Sequence, residues 1–165
     1  MSIIGILRDV DILLDLSEAQ LEKIASIGET KTYNGAEIVF KENTTSNELY
    51  IILNGTVEIV VDPATVGSSH DASTGVVTIA TLRRGESFGE VALVDQGLRS
   101  ASAMAAQDRT ELLVIPQDKF NQLCQQDFEL GYIVMRNIAA DLAFKLRQTD
   151  IMIQEQILWG RKEKK

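Results

Sequence analysis

The sequence predicts a mainly β domain flanked by helices, an antiparallel sandwich or barrel over residues 31–115 with helical segments on either side. Short runs rich in Val, Ile, Thr and Tyr, broken by Gly and Asn about every ten residues, fill the middle of the chain. Helical spacing of apolar residues marks both ends. The 165 residues, 45% of them apolar and 24% charged, have the size and mix of one soluble globular unit rather than of a disordered, collagenous or membrane chain.

Residues 1–30 make the N-terminal helical part. Apolar spacing from Ile3 to Ile27 is helical, and Ser17 with Gln20 three positions on, ahead of Leu21 and Ile24, is a capping box that starts a helix. In the strand region, Leu49-Tyr50-Ile51-Ile52-Leu53 leads into Asn54-Gly55, after which Val57, Ile59 and Val61 alternate with Thr56, Glu58 and Val60. Asn-Gly favours positive φ at both turn positions, so a tight type I′ hairpin is expected there. Pro63 to Thr74 reads as an inter-strand loop, with His70 as an exposed loop residue that has no ligand role.

Residues 116–160 are the C-terminal helices. Pro116 suits a first helical turn, a short helix runs through Phe120 and Leu123, and beyond Asp127 a long helix starts at about Phe128. Arg161 to Lys165 is a basic tail that complements the end of the helix dipole. The apolar positions of the long helix are Met135, Ile138, Leu142, Leu146, Ile153 and Ile157, with Thr149 in the one gap. Their spacing of three, four and four residues is an eleven-residue repeat, which lets two helices pair almost straight. The first half of the stripe is expected to pack on its own chain; beyond Leu146 no later segment covers it, which predicts a homodimer through this helix.

Charge and scarce residues exclude several functions. Sixteen bases against twenty-four acids give −8; the last five residues hold four of those bases and one acid, leaving −11 for residues 1–160. Nucleic acid is therefore not an expected partner, since duplex binding needs many Lys and Arg on phosphates. One cysteine, Cys124, forms no internal disulfide, and one histidine gives no cluster for a metal. Metal-dependent and nucleophilic catalysis both lack their residues, so no enzyme and no metal are expected. Ile3 to Leu7 is too short for a signal-peptide core, and no run approaches the eighteen or so apolar residues of a bilayer span. The chain reads as cytoplasmic and free of membrane insertion.

The stretch Gly85 to Ala101 carries the chemistry. A short helix over Glu90 to Val94, preceded by Gly89, brings backbone N–H groups near an anion. Arg99 offers a guanidinium fork that matches two phosphate oxygens, and Glu90 suits a hydroxyl donor such as a sugar. Taken alone, Gly, Glu and Arg within fifteen residues fit a surface turn with a solvated ion pair better than a ligand site.

The order of the whole string decides between them. Phe-Gly-Glu-Val-Ala-Leu-Val-Asp-Gln-Gly-Leu-Arg-Ser-Ala, residues 88–101, resembles the phosphate-binding cassette of the cyclic nucleotide-binding domains found in catabolite activator proteins, cyclic-nucleotide-dependent kinases and nucleotide-gated channels. The resemblance extends to Leu7-Arg8-Asp9-Val10, Leu16-Ser17-Glu18, Tyr33 to Phe40 and Leu49-Tyr50-Ile51-Ile52 with Gly55, covering residues 5–150. It implies a double-stranded β-helix, a jelly-roll-like β-roll, holding a 3′,5′-cyclic nucleotide, cAMP before cGMP. The implied site is Phe88, Gly89, Glu90, Val91, Ala92, Leu93, Arg99, Ser100 and Ala101, joined by Thr149 and Asp150. Glu90 would accept from the ribose 2′-hydroxyl, Arg99 would pair with the phosphate, amides around Gly89, Val91 and Ala92 would donate, and Ser100 would face the phosphate or base.

Three positions depart from the family pattern. Asn43-Thr44-Thr45 replaces a turn that often has Gly, and Asn tolerates left-handed φ. Leu98 stands where kinase domains often have Pro. In the last helix Thr149 matches the Thr-Ser pair that contacts adenine in catabolite activators, one residue from each subunit, while Asp150 does not. The expected function is a regulatory sensor without a DNA-binding or catalytic domain of its own, signalling to an effector protein by movement of the last helix. The alternative is a protein-interaction module that has kept the roll and lost the nucleotide; Glu90, Arg99 and Ser100 occurring together count against it.

Overall fold

The computed structural model describes residues 2–62, 76–95 and 97–162. The expectations for Pro63 to Thr74, including His70, and for the side chains of the basic tail lie outside the described residues. The chain opens with α1 (Ile3–Leu7), a 3-10 turn (Asp11–Leu13) and α2 (Glu18–Ile27). The Ser17 capping box forms as expected: Ser17 Oγ accepts from the Gln20 amide while Gln20 Oε1 accepts from the Ser17 amide.

Among the described residues eight strands follow, β1 (Glu29–Tyr33), β2 (Ile38–Phe40), β3 (Glu48–Asn54), β4 (Thr56–Val61), β5 (Val77–Arg83), β6 (Ser87–Phe88), β7 (Ser102–Ala105) and β8 (Thr110–Pro116), with α3 (Val91–Val94) between β6 and β7. They form two antiparallel four-stranded sheets, ordered β1-β8-β3-β6 and β2-β7-β4-β5. Pro116 ends β8 and caps α4 (Gln117–Gln126), and Asp127 separates α4 from the 35-residue α5 (Phe128–Lys162). Asp127 earns its place at that junction through both carboxylate oxygens: Oδ1 accepts from the Leu130 amide at 3.1 Å and Oδ2 from Lys23 Nζ at 2.7 Å. Those donors hold its carboxyl below the usual range.

The period-2 pattern of β3 and β8 explains the layering. Leu49, Ile51 and Leu53 of β3, with Leu113 and Ile115 of β8, pack under the helices against Leu7, Leu21, Phe120, Leu130, Val134 and Ile138. Tyr50 and Ile52, with Leu112 and Val114, face the other way, onto Val57 and Ala103 of the second sheet. A strand covered on both faces has no polar side to alternate with, hence the unbroken apolar run from Leu49 to Leu53.

That double burial corrects the expected hairpin. β3 and β4 do not pair: β3 lies between β8 and β6, and β4 between β7 and β5. Asn54 keeps negative φ and donates through its side chain to the Arg109 carbonyl at 3.2 Å. Gly55 alone turns left-handed, at φ +91°, and carries the chain from one sheet to the other. A Cβ on Gly55 would sit 2.6 Å from Thr110 Oγ1 and 2.9 Å from Thr110 Cα, so the crossing also needs the missing side chain. Asn-Gly marked the bend; the demand of β3 for two covered faces chose its partners.

α5 divides in two. Leu130, Val134 and Ile138 are buried, and Met135 and Leu142 pack partly against the core. From Phe144 to Glu155, and at Ile157, every described side chain is exposed. Among the described residues no helix is long and apolar enough to cross a membrane.

Gly55→Ala is expected to destabilise the fold by about 2 kcal/mol or more, combining left-handed strain with the approach to Thr110. Chemical denaturation followed by circular dichroism checks this; an unchanged midpoint would refute the sheet-crossing role.

Candidate functional site

A cavity of about 390 Å³ opens beside α3. Phe40 of β2, Ile59 of β4, Ile79 and Leu82 of β5, and Phe88 of β6 give it apolar walls, and Glu90, Asp95, Arg99 and Lys145 supply its charges. Of the residues expected from sequence, Phe88, Gly89, Glu90, Val91, Ala92, Arg99, Ser100 and Ala101 come together around it.

Arg99 is the most constrained of them. It is only 7% exposed. Its Nη2 donates to the Glu48 carbonyl and to Ser46 Oγ, both at 2.7 Å, and Nη1 reaches the Gly89 carbonyl at 3.4 Å. Ser46 Oγ in turn donates to Glu48 Oε2, whose carboxylate lies 4.0 Å from Nη2. The guanidinium carbon stands 4.2 Å from the centre of the Phe40 ring, within cation–π range. Phe40, Tyr50 and Phe88 cluster beneath it, with Tyr50 and Phe88 stacked at 5.0 Å. Burial lowers the Arg99 pKa, opposed by Tyr50, Glu48 and Glu90. Arg99 Nε alone has no hydrogen-bond partner.

The backbone is built around that side chain. Asn43 N donates to the Arg99 carbonyl at 2.8 Å and Arg99 N to the Thr44 carbonyl at 3.0 Å, which pins the cassette to the preceding turn. Asn43 adopts φ +60°, the left-handed conformation that Asn tolerates. Gly89 is left-handed at φ +79°, and a Cβ there would lie 2.7 Å from Arg99 Nη1 and 2.9 Å from the Glu48 carbonyl oxygen. The Gly before Glu90 is thus required by the close approach of Arg99.

Glu90 sits at the start of α3, 6% exposed, and its Oε1 accepts from Lys145 Nζ of α5 at 2.6 Å. The same ammonium reaches Asp141 Oδ2 at 2.8 Å. Burial pulls the Lys145 pKa down, but the Asp141 and Glu90 carboxylates outweigh it and leave the group above its ordinary value.

Other expected site residues lie elsewhere. Leu93 is buried in the core beneath the helices and does not line the cavity. The Ala92 amide is engaged by the Gly89 carbonyl at 3.1 Å, so it is not a free donor. Thr149 and Asp150 are exposed on α5, outside the cavity, and Thr149 Oγ1 donates back to the Lys145 carbonyl at 3.0 Å. Their expected role depends on a second subunit, and this chain by itself does not carry them to the ligand space.

Sequence reasoning missed Lys145, the Ser46–Glu48 support of Arg99 and the Phe40 platform. Phe40 and Tyr50 read as ordinary strand apolars, and Lys145, four residues after Asp141, reads as a helix-surface ion pair, which it also is. Among the described residues no three metal-ligating side chains converge.

The cyclic nucleotide-binding domain family matches residues 30–127. The chain is 34% identical over 136 residues to cGMP-dependent protein kinase 2 of Homo sapiens, covering 79% of this chain and 17% of the kinase. It is 30% identical over 136 residues to the cyclic AMP receptor protein of Thermus thermophilus, covering 82% of this chain and 57% of that protein. The chain therefore spans under a fifth of the kinases and little over half of the receptor protein. The crystal structure of the Thermus thermophilus catabolite activator protein superposes with a TM-score of 0.73 at 28% identity, covering 87% of this chain and 62% of that one.

Gly89→Ala is expected to push Arg99 off its seat, lowering stability by about 1–3 kcal/mol, as a left-handed non-Gly residue does. A thermal melt checks this; a melting temperature equal to that of the wild type would show that Arg99 does not need the gap.

Proposed function

Because this chain belongs to the cyclic nucleotide-binding domain family, we propose that it is a non-catalytic regulatory domain that holds a 3′,5′-cyclic nucleotide beside α3, cAMP in preference to cGMP. The observation that carries this reading is Arg99, a buried cation on the cavity wall whose Nε–H has no partner. Leaving a buried donor unpaired costs about 1–3 kcal/mol, and a phosphate oxygen is the acceptor that a buried guanidinium fits best. The cavity, at about 390 Å³, lies within the roughly 300–1,000 Å³ of small-molecule sites.

The nucleotide supplies a phosphate charge and a ribose hydroxyl. Arg99 meets the first with a side chain already fixed by β3 and Phe40, so little rotamer freedom is lost on binding. Glu90 accepts from the second through Oε2, since Lys145 takes Oε1. Ile59, Ile79 and Leu82 offer an apolar wall for the base. The preference for cAMP is supported by the likeness to the Thermus cyclic AMP receptor protein and by Thr149 in α5.

α5 is the output. Leu146, Ile153 and Ile157 continue the apolar stripe past the last contact with the core and are exposed. A second copy of this helix covers them, giving a homodimer that presents Thr149 and Asp150 to the partner's ligand. The signal passes from α5 to an effector protein. A net charge of −8 argues against nucleic acid in that role.

Calorimetric titration with cAMP and then cGMP tests the reading. Micromolar or tighter binding of cAMP, weaker binding of cGMP, and a loss of at least ~100-fold in Arg99→Ala are expected, the size associated with unpairing a buried charge. Equal or tighter binding of cGMP would reassign the base. No heat and no thermal shift with either nucleotide would replace the sensor by a protein-interaction module. For the dimer, light scattering at tens of micromolar should give twice the chain mass, and Leu146→Asp with Ile153→Asp should halve it; a monomeric wild type with and without ligand would overturn the pairing.

A further inference from the structure

Among the described residues of the cavity wall four are charged: Glu90, Asp95, Arg99 and Lys145. Lys145 is already committed, to Glu90 at 2.6 Å and to Asp141 at 2.8 Å, so those three groups together carry one net negative charge. Arg99 has the Glu48 carboxylate 4.0 Å away. Among the described residues Asp95 alone of the four forms no ion pair. A carboxylate without a counter-ion, on the wall of a cavity suited to an anion, opposes binding through its repulsion of the ligand.

The local fold does not require that charge. Asp95 closes the C-terminal end of α3, its amide donating to the Val91 carbonyl at 2.9 Å. Its Oδ1 accepts from the Gly97 amide at 2.7 Å, and no described group donates to Oδ2. A turn of this kind asks for a side-chain oxygen, which Asn supplies as well as Asp. The turn therefore fixes the position of the carboxylate and leaves its negative charge unexplained.

We infer that Asp95 is a specificity-determining residue that limits the site to ligands of a single negative charge, admitting a cyclic phosphodiester and rejecting linear nucleoside phosphates. The cyclic diester carries one charge, whereas a phosphate monoester carries about −1.5 to −2 at pH 7. Arg99 is the cation of the described wall left to meet either one. Once the first charge of the ligand has neutralised Arg99, any further charge meets a wall that is net negative. Selection then comes from excluding the wrong ligand, with no added grip on the right one. This inference rests on the nucleotide reading of the cavity.

The test uses the full chain with Asp95→Asn, which keeps the oxygen that closes the turn, and Asp95→Ala, which removes oxygen and charge together. Asp95 is exposed, so both variants are expected to fold, and a thermal melt verifies it. Binding of cAMP is titrated, and 5′-AMP is measured by its displacement of cAMP, at one fixed ionic strength because salt screens an exposed charge. In both variants the ratio of the 5′-AMP to the cAMP dissociation constant should fall by about threefold to tenfold, the size of one added charge interaction near a protein surface. A ratio unchanged in Asp95→Asn, including 5′-AMP undetected in wild type and variant alike, would overturn the inference. A change confined to Asp95→Ala would overturn it too, assigning the effect to the turn, as would weaker cAMP binding by Asp95→Asn, which would make the carboxylate an acceptor for the ligand. If the wild type takes up neither cAMP nor cGMP, the nucleotide reading fails and the role of Asp95 fails with it; a wild type that binds cAMP while Asp95→Asn keeps the same ratio defeats the role of Asp95 alone.

Discussion

Burying a guanidinium is costly unless its fork of donors and its planar face are met by geometry prepared for them. Arg99 obtains this from parts of the chain far apart in sequence: the Phe40 ring, Ser46 and the Glu48 carbonyl, the Gly89 carbonyl, and main-chain bonds to the turn at Asn43 and Thr44. Three of the nine aromatic residues of the chain, Phe40, Tyr50 and Phe88, are gathered under it. The left-handed Gly89 exists because Arg99 passes so close. The cassette, the aromatic cluster and the edge of the first sheet are thus fitted to one side chain, and they leave its Nε toward no protein acceptor.

Glu90 is the counterpart to Arg99 and differs in what satisfies it. Arg99 is held by the roll, whereas Glu90 finds its cation on α5. One charge of the cavity is thus balanced from α5 rather than from the roll. The buried half of α5, through Leu130, Val134 and Ile138, anchors the helix, and the described side chains from Phe144 to Glu155 are exposed.

Much of this was legible in the sequence. Strand runs, the Ser17 cap, the helix break at Asp127 and the stripe on α5 follow from local rules of spacing and capping, and the structure has each of them. The gathering of residues 88–92 and 99–101 around one cavity was legible from the ordered cassette. Strand partners were not, because Asn54-Gly55 reports a bend and is silent on which sheet the chain enters next. Leu93 was misread for a related reason: in a four-residue helix one face meets the cavity and the other the core, and sequence proximity does not tell them apart. Lys145 carried no signal, since an Asp-to-Lys step of four residues is common on solvated helix faces.

The sheet order also has a kinetic meaning. Glu29 at the start of β1 faces Val114 near the end of β8, and β8 in turn pairs with β3, so the first sheet closes only when the last strand arrives. In the second sheet β2 likewise waits for β7. Among the described strands only β4 and β5 join neighbours in the chain. Domains dominated by such distant pairings fold in milliseconds to seconds rather than microseconds, because loop-closure entropy is spent before contacts repay it. During synthesis the apolar run from Leu49 to Leu53 leaves the ribosome long before the strand that covers it. Until β8 is in place that run is open on one edge, and the nascent chain depends on speed of completion, or on a chaperone, to reach the roll before it meets another copy of itself.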